Sequence, residues 1–555
     1  MKKVLSLFLT AVFMMTCLSS FAFSASAAPE IWDGKRAFAF AGGSGTKDDP
    51  WQISNGAELS YMFYIFNNGV LKEPFEETYG HDFFVLTKDI YLNDVSNYDK
   101  WDIKNRPANV WPYAPLGLGG YAFYETIDGQ GHTIYGLYQI CGGKGGGLVY
   151  GGMEGSTLQN LNLDKAMIYA ESNAGALAAG NSGTIRNCHV SAKVFGVKGN
   201  FFGGICGYNQ GLIENCVFEG SVESVGIYTG GISGNMGTED EKAAGAVISN
   251  CINYGTVTGT PDKDNGSAVG GITGNMGNLT TKSTITNCFN AGTITGTGSV
   301  GGIVGLVGYK DDGTGSNIQN CFNFGTVKAN KEGVESVGGV FGYFSKGAKT
   351  SNCYYDSDKI KLNGIGLDLA SAASAVKGLA TSKMQGNSAV ANMKLDAGVW
   401  QNISNYYPVI KDLHAKGWTK IEAGNTNPSG NGDSSTTPTK PDPGSNTNST
   451  PSSQGGTVSG NDNPSSGDSS QDASDVSGST ESQPDVSSEE SSRDPSVSGD
   501  SSKSDNASSD TDVNSGSQDK PVIWPWILVG VIIVLGGAGF CVYFFVIKKK
   551  IFEKK

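Results

Sequence analysis

Arginine and histidine are scarce in this chain of 555 residues. Four arginines and four histidines are present, and Arg186 is the one arginine within the repeats described below. Eliminative cleavage of acidic sugars needs a cationic base beside acids or calcium, and the sequence has no such cluster. No histidine lies in a His-Glu-x-x-His phrase, which excludes the zinc peptidases that use it.

Motifs for nucleotides and metals are missing too. The chain has no P-loop, dinucleotide fingerprint or basic patch, which argues against nucleotide and nucleic-acid partners. It has no Cys-x-x-Cys pair, and ligands arranged in a line cannot form the tetrahedral set that zinc needs. We therefore predict no cofactor, no bound metal and no catalytic residue.

Carboxylates leave one enzymatic alternative open. Hydrolysis of a glycosidic bond needs two carboxylates that face each other across a cleft. The repeats contain acidic residues that could do so, none of them in a motif, such as Asp164, Glu171, Glu214, Glu219 and Glu223. Exposed strand faces explain these residues equally well, so a β-helix polysaccharide lyase or glycoside hydrolase is kept as the alternative function.

Two apolar runs indicate export and anchoring. Residues 1–27 are typical of a secretory signal peptide, with two lysines, an apolar run and the small-residue phrase Ala-Ser-Ala. Residues 522–547 carry no charge over 26 positions, more than the roughly 20 needed to cross a hydrocarbon core. The lysines of the basic tail, 548–555, place that tail in the cytoplasm. The sequence predicts a single-pass protein of the cell membrane with its head outside.

Large apolar side chains are almost absent from residues 423–521. Between 424 and 519, sixteen acidic residues stand against three basic ones, a net charge of 3 − 16 = −13. The whole chain also carries −13, so the remainder sums to zero. Such a segment cannot bury enough apolar surface to offset its ordering entropy, and we predict a disordered linker that holds the head away from the membrane.

Two short phrases recur through the centre of the chain. The first is Asn-Cys, at Asn187-Cys188, Asn215-Cys216, Asn250-Cys251, Asn287-Cys288, Asn320-Cys321 and Asn352-Cys353. The second is Gly-Gly followed by an aliphatic residue, at 203–205, 230–232, 270–272, 301–303 and 338–340. Successive cysteines of the first phrase lie 28, 35, 37, 33 and 32 residues apart. Self-similarity at this period is typical of a solenoid.

The repeats predict an all-β solenoid, a right-handed parallel β-helix with one repeat per coil. Each repeat contains short apolar runs of period two and no helical spacing over three turns. Stacking would place the asparagines in a ladder of side-chain amides at one corner, beside small, buried and free cysteines. The glycines would allow positive φ and close backbone approach at the bends. We assign these asparagines and cysteines a structural role.

The ends of the solenoid need covering, because open strand edges invite aggregation. We place an N-terminal cap region at 28–82, the β-helix at 83–356 and a C-terminal capping segment at 357–422. Within the first, residues 55–69 predict a helix, with Asn55 and Glu58 as its capping pair. Insertions of variable length between the Gly-rich and Asn-Cys phrases predict surface loops, as either decoration or a binding face.

Aromatic residues concentrate just before the repeats become regular. Trp101, Trp111, Tyr113 and Tyr121 lie within 24 residues, together with Tyr124. Aromatic rings of this kind form stacking platforms for sugars, but they also pack caps and loops. We name the first four as possible ligand-binding residues, with packing as the alternative.

Several phrases resemble the GLUG repeat of secreted bacterial surface proteins. They include Val-Gly-Gly-Ile-Val-Gly at 300–305, "TIDGQGHTIYGL" at 126–137 and "NCYYD" at 352–356. The resemblance covers about residues 42–412 and implies a right-handed parallel β-helix on the surface of a Gram-positive or related bacterium, often in adhesin-like proteins. Wall-anchored members carry a Leu-Pro-x-Thr-Gly phrase, which is missing before Val522, so we expect retention in the membrane.

Together these observations predict a non-catalytic surface protein that displays a β-helix for adhesion. The expected partner is an extracellular glycan or a host matrix protein, since large solenoid faces suit extended ligands. A purely structural surface protein is the further alternative. Fold alone does not decide among these functions, because sites are grafted onto folds.

Overall fold

The computed structural model describes most of residues 29–421. The positions outside the description in that range are 69–81, 119–122, 144, 238–244, 261–266, 278–282, 313, 331–333 and 335. The predicted signal peptide, linker, membrane span and basic tail also lie outside the described residues, as do Tyr121 and most of the inserted loops. No described helix is long and apolar enough to cross a membrane.

The chain winds through parallel sheets in a fixed order, which is the topology of a parallel β-helix. Each regular coil passes through sheet 1, turns at Asn-Cys into sheet 2, then crosses sheet 3 and, after Gly-Gly, sheet 4. Pairing within these four sheets is parallel throughout, so each strand lies beside its equivalents one coil before and after. The description thus confirms an all-β fold with parallel sheets; its handedness stays a prediction.

The strands are short, as narrow coils require. Sheet 1 has ten described strands: Trp51–Ile53, Phe83–Leu86, Thr126–Asp128, Thr157–Gln159, Thr184–Arg186, Leu212–Glu214, Val247–Ser249, Ser283–Thr286, Ser316–Gln319 and Lys349–Ser351. Sheet 2 has fourteen: Ile90–Tyr91, Thr133–Tyr135, Tyr138–Cys141, Asn162–Ala170, His189–Gly196, Val217–Ser224, Ile252–Asn253, Thr256–Gly259, Phe289–Asn290, Ile294–Gly296, Phe322–Asn323, Val327–Ala329, Cys353–Asp356 and Val376–Leu379.

The other two parallel sheets close each coil. Sheet 3 has five described strands: Phe201–Gly203, Tyr228–Gly230, Ala268–Gly270, Ser299–Gly301 and Val337–Gly338. Sheet 4 has eight: Val149–Gly152, Ala178–Asn181, Cys206–Asn209, Ser233–Met236, Thr273–Met276, Val304–Asp312, Phe341–Lys346 and Ile365–Asp368. An antiparallel hairpin of Trp400–Ile403 and Tyr406–Ile410 stands apart from them.

The core consists of columns of equivalent side chains. In sheet 1 the central residue of successive strands points inward and is at most 4% exposed, namely Ile127, Leu158, Ile185, Ile213, Ile248, Ile285 and Ile318. The six cysteines of the Asn-Cys phrases form a second column and are fully buried. Because such burial contributes roughly 1.5–3 kcal/mol per aliphatic side chain, the stacked columns are the main source of stability.

The asparagines of the Asn-Cys phrase turn the backbone at the corner between sheets 1 and 2. All six have φ between 50° and 56°, as does Asn160 one coil earlier, at 51°. Asparagine tolerates this left-handed conformation better than other residues with a side chain, so the turn itself explains the residue. The predicted amide ladder is incomplete: Asn187 and Asn352 donate to the previous copy, whereas Oδ1 of Asn215 and Asn250 has no described partner.

A second set of asparagines, which the sequence did not reveal, forms the continuous ladder. Asn253 Nδ2 donates to Asn290 Oδ1 at 2.7 Å, and Asn290 Nδ2 donates to Asn323 Oδ1 at 2.8 Å. All three side chains are fully buried inside the coils. Each also bonds the backbone two residues later, as Asn290 does with Gly292 N and O.

The coils extend beyond the predicted limits of 83 and 356 at both ends. Trp51–Ile53 already pairs in parallel with Phe83–Leu86, so the first coil contains the predicted helix, α1, at Gly56–Asn67. Asn55 Oδ1 caps α1 by accepting from Glu58 N at 3.0 Å. At the other end, Val376–Leu379 still pairs with Cys353–Asp356. The sequence missed these outer strands because they lack both repeat phrases.

The C-terminal segment lies along the outside of the β-helix, where the sequence predicted an end cap. Residues 381–421, named the arm, contain α2 at Thr381–Met384, α3 at Ala389–Asn392, the hairpin and α4 at Lys411–Ala415. Two 3₁₀ helices, Val95–Lys100 and Ala373–Ala375, complete the helical elements.

Aromatic and polar contacts fasten the arm to the outer face of sheet 2. The Tyr407 ring stacks on Phe324 with 3.8 Å between centroids, and the Tyr407 hydroxyl donates to the buried carboxylate of Asp356. Thr381 Oγ1 donates to the same carboxylate at 2.9 Å. Trp400 is 1% exposed and packs on Phe322 at 5.3 Å. The apolar outward side chains of sheet 2 therefore bury themselves against the arm.

The eight described cysteines are free and buried, which gives a direct test. Burial raises the pKa of the Cys141 thiol to about 11, and it raises the pKa of Cys206 and Cys353 as well. Since a reagent must reach the sulfur and all eight side chains are buried, we expect none of the eight to react at pH 8 in the native protein and all to react after unfolding without reductant. Mass spectrometry of alkylated peptides measures each site. A cysteine that stays unmodified in the unfolded chain would contradict free thiols.

Candidate functional site

The aromatic residues predicted to bind a ligand occupy different environments. Trp101 and Tyr113 are 5% and 6% exposed, and the Tyr113 hydroxyl donates to Gly56 O at 3.1 Å. Trp111 is 42% exposed, while Tyr121 lies outside the described residues. The first two rings thus pack the N-terminal coils, and Trp111 is the described member of the set that presents a surface.

Trp111 belongs to an aromatic patch beside α1. Its ring meets Trp32 edge to face at 6.2 Å, and the Arg36 guanidinium lies 3.4 Å from the centroid of the Tyr64 ring. A cavity of about 280 Å³ opens there, lined by Trp32, Arg36 and Tyr64 among others. The Arg36 guanidinium lies over the Tyr64 ring, and the cavity has less than half the volume of the groove described next.

A larger groove, named the corner groove, lies where the arm meets the turn between sheets 1 and 2. Its volume is about 640 Å³. Two residues of the arm, Lys416 and Trp418, line one side of the groove. Coil residues form the other wall, namely Asp128, Gln130, Gly131, Asn160, Asn162 and Asn187. The wall is polar because the left-handed corner residues turn their amides outward, and the arm adds an indole and an ammonium group.

Asp128 organises the coil wall of the corner groove. Its Oδ1 accepts from Gln130 N at 2.9 Å and from Asn160 Nδ2 at 3.1 Å, and its Oδ2 accepts from Gln159 Nε2 at 2.8 Å. Asn187 Nδ2 continues the network by donating to Asn160 Oδ1 at 3.3 Å. These bonds fix the side-chain amides in place, so little rotamer entropy remains to be lost when a ligand binds.

The arm wall is held by an ion-paired contact with sheet 2. The Trp418 indole stacks on the His189 ring, with 5.5 Å between centroids and 17° between planes. His189 Nε2 lies 3.1 Å from Glu219 Oε1, and Lys420 Nζ lies 2.8 Å from Glu219 Oε2. Burial alone would raise the pKa of Glu219, but the bonds from His189 and Lys420 outweigh it and lower the pKa. Glu219 is therefore an anion that fastens the arm.

The corner groove can recognise a ligand more readily than it can cleave one. Polar amides and an aromatic ring in one groove match the hydroxyls and apolar face of a sugar. Hydrolysis would need a second carboxylate beside Asp128, and the described lining holds none. The part of the chain that the structure describes also shows no cluster of His, Cys, Asp and Glu suited to a metal ion.

Sequence reasoning missed the arm residues of this groove. Lys416 and Trp418 lie more than 200 residues after Asn187 in the chain and carry no repeat phrase. Trp418 was visible only as an isolated tryptophan in a segment assigned to end capping. Asn187 was identified as structural, whereas its side chain also lines the groove.

Comparisons with known proteins give the chain no family. No family model matches, so GLUG-type repeats remain a resemblance. Halomucin of Haloquadratum walsbyi is 28% identical over 167 residues, which is 30% of this chain and 2% of halomucin. A crystallised protein of Bacteroides ovatus, provisionally described as an immunoglobulin A1 protease, aligns over 69% of this chain and 96% of its own. Its identity is 19% and its TM-score is 0.39, so the fold assignment rests on the strand pairing above.

Proposed function

We propose that this protein is a non-catalytic surface protein that binds an extracellular glycan through the corner groove. The observation that carries the proposal is the pairing of an indole with fixed amides in one groove of about 640 Å³. Aromatic faces stack on the apolar face of sugar rings, and amides bond their hydroxyls. A volume of this size falls within the range of small-molecule sites, roughly 300–1,000 Å³.

The proposed location follows from the sequence. The signal peptide at 1–27 would export the chain, and the apolar segment at 522–547 would hold it in the cell membrane. The acidic linker at 423–521 would then present the head to extracellular polymers. The regular outer face of the coils suits an extended chain, because equivalent side chains repeat at the strand spacing of about 4.8 Å.

Removing the indole tests the proposed site. We expect Trp418→Ala to weaken glycan binding by about tenfold, taking for a sugar ring the lower part of the roughly 1–3 kcal/mol that a nucleic-acid base gains on an aromatic face. The measurement uses full-length protein in mild detergent on an array of soluble glycans, followed by calorimetry with the best binder. The same incubations are assayed for newly released reducing ends.

Trp111→Ala is the matched control, because it removes an exposed indole from the other aromatic patch. Wild-type binding with no released ends, lost in Trp418→Ala and kept in Trp111→Ala, supports the proposal. Loss in Trp111→Ala alone would move the site to the patch beside α1. Released ends would show an enzyme, and an array without any binder would contradict glycan recognition.

A further inference from the structure

The corner groove holds an unpaired cation at its edge. The Lys416 side chain is exposed, and its Nζ lies 4.6 Å from the centroid of the Trp418 ring. Among the described residues Lys416 forms no ion pair, whereas nearby Lys420 is engaged with Glu219. The ammonium group is therefore available to a ligand that lies on the indole.

Asp128, the carboxylate of the coil wall, does not neutralise the charge of Lys416 as Glu219 neutralises that of Lys420. Three hydrogen bonds already engage Asp128, two on Oδ1 and one on Oδ2, and they disperse its charge into the coil wall. One remaining lone pair on Oδ2 can accept from a hydroxyl group. A ligand therefore meets the exposed ammonium group of Lys416 on the arm and the fixed acceptor Oδ2 of Asp128 on the coil wall.

The coil wall also has an acceptor without a donor. Asn162 Nδ2 donates to Gly131 O at 2.8 Å, but Asn162 Oδ1 is buried and accepts nothing from the residues the structure describes. Because that oxygen exposes almost no surface, a ligand hydroxyl would reach it only if the Asn162 side chain shifted. Asp128 Oδ2 is thus the acceptor on the coil wall that favours a ligand with hydroxyl groups.

We infer that the glycan taken by the corner groove is acidic. This inference rests on the proposed function and specifies its ligand class: a polysaccharide whose sugars carry carboxylate or sulfate groups. The Lys416 ammonium group moves off the Trp418 ring to pair with the anion, the sugar ring takes its place on the indole, and a hydroxyl donates to Asp128. Neutral sugars keep the stacking and the hydroxyl contacts but lose the ion pair.

Paired polymers test the inference with the full-length protein in mild detergent. Polygalacturonate is compared with its methyl ester, and dextran sulfate with dextran, because each pair shares one backbone and differs in charge. We expect at least one acidic polymer to bind about fivefold or more tightly than its neutral counterpart. That preference should shrink as salt shortens the screening length from about 10 Å at 0.1 M to about 3 Å at 1 M.

Lysine variants locate the charge. Lys416→Met should abolish the preference for the acidic polymer, and Lys416→Arg should keep it. Lys383→Met is the matched control, since it removes the same charge from an exposed position elsewhere on the arm. Which acidic polymer responds distinguishes carboxylate from sulfate.

The outcomes separate this inference from the proposed function. Equal binding of acidic and neutral polymers, lost in Trp418→Ala, would overturn the acidic specificity and keep the glycan site. An acidic preference that Lys416→Met leaves unchanged would also overturn it. If the protein bound none of the four polymers and no glycan of the array, both the acidic specificity and the proposed glycan-binding function would be overturned.

Discussion

Replacing Asn290 with alanine is expected to lower the free energy of unfolding by about 4 kcal/mol. The side chain is fully buried, donates to Asn323 Oδ1 and Gly292 O, and accepts from Asn253 Nδ2 and Gly292 N. Alanine removes the side-chain partner of both Gly292 N and Gly292 O, and it removes one of the two bonds made by Asn253 Nδ2 and by Asn323 Oδ1. A buried group left without a partner costs about 1–3 kcal/mol. Because the coil can relax partly around the smaller side chain, we expect the total loss of unfolding free energy to stay below the sum of the largest costs. Urea unfolding followed by far-ultraviolet circular dichroism measures the change.

Asn330→Ala is the control for this experiment, because Asn330 is an exposed asparagine in the following coil. We expect it to change the unfolding free energy by less than about 0.5 kcal/mol. If Asn290→Ala were no more destabilising than Asn330→Ala, the buried ladder of Asn253, Asn290 and Asn323 would not be a source of stability.

An alanine at Gly271 is expected to destabilise the coils by about 3 kcal/mol or more and to reduce the yield of folded protein. A Cβ there would overlap Gly302 O of the next coil and lie 2.6 Å from Asn290 Cγ. Both neighbours are fixed by stacking, so the clash forces the backbone of two coils apart. Soluble expression and the urea midpoint, measured side by side with wild type, test this.

Gly151→Ala provides the comparison, because an added Cβ at Gly151 meets no atom within 4 Å. Gly151 lies in a strand of the same solenoid, and the change from glycine to alanine is the same. We expect it to fold with a urea midpoint close to that of wild type. Equal behaviour of the two alanine variants would show that the Gly-Gly phrase does not depend on close packing between coils.

The Asn-Cys and Gly-Gly phrases show how much of the fold could be predicted from the sequence. Their period predicted stacked coils, because a repeat that cannot bury its own apolar face must stack on copies of itself. The roles of the two residue types were harder to separate. Gly271 does not have positive φ, whereas Asn287 has φ of 54°, so asparagine makes the left-handed turn and glycine provides space. The left-handed turn and the close approach of two coils are both features of backbone geometry, and the identity of a residue does not show which of them it serves.

The candidate site could be predicted only in part. Ligand-binding or packing rings were predicted at residues 101–124, where Trp101 and Tyr113 are buried, whereas the ring that lines the corner groove, Trp418, belongs to the arm. The arm has no repeat, so its position depends on tertiary contacts such as Tyr407 with Phe324 and Asp356. Contacts between residues so far apart in the chain leave no local pattern. Asn187 was predicted as a corner residue, whereas Asn160, which is followed by leucine instead of cysteine, was not. The place of both residues in a groove depends on the arm.

The course of the arm has a mechanical consequence. Its last described contacts, Lys420 with Glu219 and Tyr254 and Trp418 with His189, lie on coils well before the final strand of the solenoid. A pull applied beyond Ile421 would load these contacts before it reached any strand of the solenoid. The wall of the corner groove should therefore yield before the coils do, so tension on the chain would release a bound ligand while the β-helix stays folded.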